Sequence, residues 1–274
     1  MYKTKFIMEI GSNHNQDWNR FLKFVDEAKS LGFWGIKLQL FDPNKLYSNA
    51  TKKQIQDLES KQLPIEWLPK IKEVCKKNKL QFICSPFYNE AVDILRPWID
   101  AYKISSYDTL RIDLVQACAN TKKPLFISNG LIAPSSLFYL YAILYNNDKN
   151  ILKNIITMSC ISQYPAKQKD FYVKEFEYLR IYGTKIGYSD HTVNNSVILD
   201  SILNGAEYIE LHYDLMDNNG LETKHKHCWN SELIKQLHND TIAAKCIKNK
   251  QKLLKQRYQK ADMSDGLRPM KKIR

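Results

Sequence analysis

No stretch of the 274 residues is apolar for long enough to span a bilayer, and the opening MYKTKFIMEIG carries no signal-peptide pattern. Both absences predict a cytoplasmic chain with no membrane span. The six cysteines (Cys75, Cys84, Cys118, Cys160, Cys228 and Cys246) show no CxxC pairing. That argues against zinc clusters and a disulfide framework, and for reduced thiols scattered through a core. No GxGxxG follows any strand-like run, which weakens a doubly wound dinucleotide-binding sheet.

Charge of one sign is in excess, +12 overall, but its distribution is uneven. From residue 247 onward there are ten Lys/Arg against two Asp, so +8 of the total sits in the last 28 residues. The sequence therefore divides into a mildly basic domain over 1–246 and a basic helical tail over 247–274. The tail lacks the interleaved aromatic residues on which bases stack, and nucleic acid is not an expected partner.

What is present is a repeat of short apolar runs, each followed by a helical stretch. The runs are KFIMEIG (5–11), WGIKLQLF (34–41), LQFICS (80–85), AYKIS (101–105), PLFISNG (124–130), NIITMSC (154–160), TKIGYS (184–189) and AEYIELH (206–212). Eight β/α repeats in a chain of this length predict a single-domain α/β fold, a (β/α)8 TIM barrel, whose active site lies at the C-terminal ends of the strands. His191 and His212 fall just at or after the last two runs, separated by a helical stretch that ends in Gly205. A βαβ unit makes those strands parallel and adjacent, so both imidazoles emerge at one edge. They suit a divalent metal with open positions, and equally two hydrogen-bonded histidines at strand ends.

Alternation then selects the side chains that face the barrel. Glu9 shares a face with Gly11, Lys37 with Gln39, Lys103 with Ser105, and Glu210 with His212. A barrel core alone would favour Val, Ile and Leu at these positions, so the polar set predicts a site. Lys37, Lys103, Ser106 and Ser128 can surround a phosphate and a carboxylate. Glu9 and Asp108 add groups that hold hydroxyls or handle protons.

The segments EIGSNHN (9–15), GIKLQLF (35–41), SPFYNEAVDIL (85–95), YKISSYD (102–108), FISNGL (126–131), CISQYP (160–165), GYSDHT (187–192) and IELHYD (209–214) resemble, in order, the signature segments of the sialic acid synthase family. That family includes N-acetylneuraminate, legionaminate and pseudaminate synthases, and the resemblance covers residues 5 to about 235. It implies a barrel that condenses phosphoenolpyruvate with an aldehydic N-acylated amino sugar, with Mn2+ or Mg2+ held by His191 and His212. It places the phosphoenolpyruvate contacts on Lys37, Lys103, Ser106, Ser128 and Ser189, and adds Gln39, Ser162, Asp190 and Glu222 to the substrate-binding set. Glu9, Asp108 and Tyr164 become the catalytic group. The implied partners are phosphoenolpyruvate and an aldose acceptor, in the synthesis of lipopolysaccharide or capsule sugars.

The sequence departs from the family pattern in the acceptor half. Asp108 stands where the family has Glu, Ser159 where it has His, and Leu211 where it has Lys. The family's small antifreeze-like domain, which carries an arginine across a dimer, has no counterpart in these residues. The expectations are an altered acceptor, and a homodimer or a separate partner that supplies the missing domain. The loop 218–230 is expected to help close the mouth, with Trp229 offered to a sugar face and Glu222 to hydroxyls. His225 and His227 are expected in solvent or beside the sugar. Other readings of the residues are a synthase of a different 2-keto-3-deoxy sugar acid, or a non-catalytic barrel that binds a partner.

Overall fold

A computed structural model describes residues 4–47 and 49–244. Eight parallel strands close into a barrel in chain order. They are β1 Lys5–Glu9, β2 Gly35–Leu40, β3 Gln81–Pro86, β4 Ala101–Ile104, β5 Leu125–Ser128, β6 Ile155–Cys160, β7 Lys185–Asp190 and β8 Tyr208–His212. β1 pairs with β8, which closes the ring. All eight expected runs are strands, and the fold is the (β/α)8 barrel that their spacing predicts.

The helices follow the strands. They are α1 Trp18–Ser30, α2 Pro43–Leu46, α3 Lys52–Glu59, α4 Leu68–Asn78, α5 Asn89–Leu95, α6 Ile112–Asn120, α7 Pro134–Asn147, α8 Glu175–Leu179 and α9 Asn195–Leu203. Local chemistry sets their ends. Asp17 caps α1 by accepting from the backbone N–H groups of Asn19 and Arg20. Thr51 and Gln54 form a capping box on α3. α5 stops two residues short of Pro97, which has no N–H with which to continue the helical hydrogen-bond ladder. The helical stretch after β6 is short, being only α8 and a 3-10 turn at Arg180–Tyr182. It begins without a side-chain cap after the bulky Phe171–Tyr172–Val173, residues of only middling helix propensity.

The compact unit bearing the barrel runs Met1–Ile234, and a second unit runs Lys235–Arg274. Residues 235–244 of that second unit are helical. Cys246 and the basic tail 247–274 lie outside the described residues. Of the remaining cysteines, Cys75, Cys84, Cys118 and Cys160 are buried and free, and Cys228 is half-buried and free.

The barrel interior has two zones. The lower is apolar: Ile7, Ile83, Ala101, Phe126, Ile156, Met158 and Tyr208 form one buried cluster, with Trp34 packed against it. Gly187 makes room here, since a Cβ on it would lie 2.3 Å from Met158 Sδ. Two residues further along the same faces the side chains turn polar: Glu9, Ser85, Lys103, Ser128, Ser189 and Glu210 are all buried. A solid apolar floor under a charged layer puts the reactive space at the C-terminal end of the strands.

Candidate active site

Parallel register builds the charged layer. Glu9 is the register partner of Lys37 on one side and of His212 on the other. Lys37 Nζ lies 2.6 Å from Glu9 Oε2 and 3.6 Å from Glu210 Oε1. Lys103 Nζ lies 3.4 Å from Glu210 Oε1, which also accepts from Ser189 Oγ at 3.0 Å. Gln39 Nε2 donates to Glu9 Oε1 at 2.5 Å. Two ammonium groups and two carboxylates thus share a buried space. Burial works to raise the Glu210 carboxyl, but Lys103 and Lys37 outweigh it and hold the group down at about 2. Burial also works to lower Lys37, yet Glu210 and Glu9 leave it above the ordinary lysine value. For Glu9 burial dominates and its pKa is raised. Glu210 Oε2 has no hydrogen-bond partner, a buried acceptor with capacity to spare.

Beside this layer stand three imidazoles around one phenol. The Tyr164 ring centroid lies 4.2 Å from that of His191, 5.8 Å from His212 and 5.0 Å from His227. His191 and His212 are 5.3 Å apart by the same measure, as the βαβ argument requires. The Ile161 carbonyl lies 2.6 Å from His191 Nδ1, and this contact fixes the ring's tautomer with Nε2 free to accept. Burial, with His212 adding to it, lowers His191 to about 3. His212 Nδ1 pairs with Glu222 Oε2 at 3.0 Å, and this partner raises the His212 pKa against the opposing effect of burial.

Donor atoms of His212, Glu222 and His227 all lie within 4.8 Å of one another. His227 Nδ1 is buried without a hydrogen-bond partner. A carboxylate with clustered imidazoles and an orphaned ring nitrogen is a donor set that fits a divalent transition metal. His227 is 3 % exposed and belongs to this cluster, whereas the sequence placed it in solvent or beside a sugar; His225, not a member of that donor group, stands next to it. No periodicity marks a loop histidine, and only the loop's path delivers it.

That path is set by the EIGSNHN segment. Asn13 is fully buried, accepts from Glu222 N at 2.7 Å and donates to the Tyr213 carbonyl at 2.9 Å. Glu222 Oε1 accepts from Ser12 N at 2.7 Å. Gly11, at φ +53°, is essential to this contact, because a Cβ there would sit 2.0 Å from Glu222 Oε1. Arg20 reaches Asp214 at 2.5 Å, and Asp214 takes Gly220 N at 2.9 Å. The 213–223 loop is therefore clamped to the segment following β1.

A third group gathers at the ends of β4 and β6. Ser106 Oγ lies 2.9 Å from Cys160 Sγ, which is 3.8 Å from Ser162 Oγ. Ser128 is buried at the end of β5, and its carbonyl accepts from Thr109 Oγ1 at 2.6 Å.

Two expected site residues are turned elsewhere. Asp108 accepts from Ser105 Oγ at 2.6 Å and pairs with Arg111 at 3.3 Å. Asp190 is wholly occupied as a turn cap: Oδ1 takes Thr192 N and Oγ1, and Oδ2 takes Val193 N and Trp229 Nε1 at 2.8 Å. Between the inward Ser189 and His191 it points to the other face, so its expected substrate contact gives way to a structural role. Trp229, 1 % exposed and bound to that cap, offers no face to a sugar. Glu210, absent from the substrate-binding and catalytic sets, is the hub of the charged layer; its shared face with His212 was the signal.

Comparison with known proteins bears on the family and the fold. Residues 24–252 match the model described as "NeuB family". A pseudaminic acid synthase of Helicobacter pylori is 30 % identical over 237 residues, covering 80 % of this chain and 67 % of that protein. The N,N'-diacetyllegionaminic acid synthase of Campylobacter jejuni is 27 % identical over 252 residues, 86 % and 75 % of the two chains. The solved N-acetylneuraminic acid synthetase of Leptospira borgpetersenii superposes with a TM-score of 0.80 at 25 % identity, over 89 % of this chain and 84 % of that one. Against the first curated relatives the chain spans about two thirds of their length, from 63 % to 67 %. With the family model covering most of the barrel and the signature segments meeting in one mouth, the chain belongs to the NeuB family.

Proposed function

We propose that this chain condenses phosphoenolpyruvate with the open-chain aldehyde of an N-acylated amino sugar, giving a nonulosonic 2-keto-3-deoxy acid and inorganic phosphate. The observation that carries the reading is the buried Lys37–Glu9–Glu210–Lys103 layer beside the histidine cluster. Two lysines next to Ser106, Ser128 and Ser189 are a cradle for a small phosphorylated carboxylate. In the resting site their charge is balanced by the two glutamates. An entering trianion shifts that balance, and Glu9, whose burial already favours the neutral form, is the group suited to take up a proton.

The sequence of steps is then as follows. C3 of phosphoenolpyruvate attacks the aldehyde carbon, and the aldehyde oxygen takes a proton from the Glu9 carboxyl. Water adds at C2 and gives up a proton to the Glu9 carboxylate left by the first step, and the tetrahedral intermediate then loses phosphate with cleavage of the C–O bond, the C2 hydroxyl proton leaving with the phosphate as the keto group forms. Lys37 and Lys103 hold the anionic ends while the apolar floor excludes bulk water. His212, Glu222 and His227, whose donor atoms converge, with His191 beside them, are the residues that would hold a divalent metal, and the imidazole content favours Mn2+ over Mg2+. When bound, such an ion supplies Lewis-acid polarisation of the aldehyde.

The product class fits an enzyme of cell-surface polysaccharide synthesis, such as capsule or lipopolysaccharide. The test is phosphate release from phosphoenolpyruvate across a panel of N-acylated amino aldoses, with and without Mn2+. Release that depends on both aldose and metal supports the reading. Release with none of the aldoses, with the chain folded and metal-loaded, overturns it.

A further inference from the structure

Between β6, α7 and α8, beside the barrel mouth, lies a cavity of about 460 Å³, within the range of small-molecule sites. Ser159 and Tyr188, which alternate with the inward-facing residues of their strands, build its wall, and at the strand ends it also touches Gly130, Cys160 and Ile161. Five of its lining residues are aromatic: Phe171, Tyr172, Tyr178, Tyr182 and Tyr188. Two more are acids, Asp170 and Glu175, and no Lys, Arg or His lines it, in a chain of net charge +12.

The polar atoms here are short of donors. Glu175 Oε1 accepts from Asn129 Nδ2 at 2.8 Å and Oε2 from Ser159 Oγ at 2.5 Å. These are neutral donors, a carboxylate has capacity for about four bonds, and Glu175 has no cationic partner among the described residues. Because the Asn129 amide must turn its NH2 to Glu175, its carbonyl oxygen is the atom left over; it is buried with no partner. Asn129 is 8 % exposed, and Tyr188, 0 % exposed, has a hydroxyl that also lacks one. Orphaned buried polar atoms are costly unless something binds them. A carboxylate, a free amide oxygen and π-faces all seek the same complement, positive charge bearing N–H donors.

We propose that this cavity is a binding site for a small organic cation of the alkylammonium class, adjoining the mouth at Cys160 but lined by none of the lysines, glutamates or histidines of the charged layer and histidine cluster. The ammonium group lies against Glu175 and Asn129 Oδ1, and the hydrocarbon part lies among the aromatic rings. Asn129 directly follows Ser128 and Ser159 directly precedes Cys160, so the site sits behind the strand ends that enter the mouth.

The test uses the full chain and ligand-observed NMR titration with cyclohexylammonium, set against cyclohexanol, which has the same shape without the charge. Saturable binding of the cation is expected, with cyclohexanol at least ~10-fold weaker, since charge-assisted and cation–π contacts are lost. Glu175→Gln should weaken the cation ~10-fold or more. Tyr178→Ala, at an exposed ring, removes wall area without touching the strands and should weaken both ligands. No saturable binding, equal affinity for cyclohexanol, or wild-type affinity in Tyr178→Ala would each overturn the proposal. If Glu175→Gln fails to fold, the cyclohexanol comparison and Tyr178→Ala decide.

Discussion

Glu9 and Lys37 are neighbours twice over: their Cα atoms are register partners across β1 and β2, and their charged ends meet at 2.6 Å in a buried layer. Backbone hydrogen bonding thus aligns the ion pair before any side-chain preference acts. Removing one partner leaves an uncompensated buried charge. Lys37→Met should therefore cost about 3–5 kcal/mol of stability as well as activity. The double variant Lys37→Met/Glu9→Gln should recover most of the stability in denaturant unfolding but none of the turnover. Recovery of turnover in the double variant would mean that Lys37 acts only as the counter-ion of Glu9.

The histidine cluster makes a graded prediction. His191→Ala and His212→Ala should abolish metal-dependent turnover, and His227→Ala, which removes one of the three converging donors, should weaken metal affinity by ~10–100-fold. Dialysis against a chelator followed by metal analysis and Mn2+ add-back reads this directly. Full metal content in His212→Ala would remove it from the ligand set.

A buried histidine away from the charged layer sets a pH limit on stability. His14 is 1 % exposed, and its Nδ1 accepts from Gln16 N at 3.0 Å. Burial lowers its pKa from 6.5 to about 4. The folded state thus binds this proton less readily than the unfolded chain. The contribution is fully present above pH ~6.5 and is lost as pH falls from there towards 4, amounting to ~3 kcal/mol at most. His14→Asn, which keeps an acceptor for Gln16 N, should flatten the fall in Tm between pH 6.5 and 4 relative to the wild type. Identical pH profiles would show that other groups carry the acid sensitivity.

The Asp190–Trp229 bond predicts a stability effect without a substrate effect. Trp229→Phe removes one of four donors to a buried carboxylate and should cost about 1–3 kcal/mol. At a temperature where the variant is folded, KM for phosphoenolpyruvate should stay near the wild-type value. A large rise in KM with unchanged Tm would return Asp190 to the substrate-binding set.

The amino-acid sequence by itself determined the barrel, since eight apolar runs at β/α spacing have few other ways to bury themselves. It also determined the inward set Glu9, Lys37, Gln39, Lys103, Glu210 and His212, because alternation has a period of two and ignores what lies beyond the strand. Alternation equally sets Asp190 apart from Ser189 and His191, although its motif suggested a substrate contact. Tertiary structure alone decided what the loops do. Glu222 and His227 reach the histidine cluster, and Trp229 leaves the mouth for the Asp190 cap, because Asn13, Arg20 and the bare Cα of Gly11 fix the path of a loop some 200 residues later. No local pattern encodes that path; it arises only when β1 and β8, the two ends of the barrel, pair.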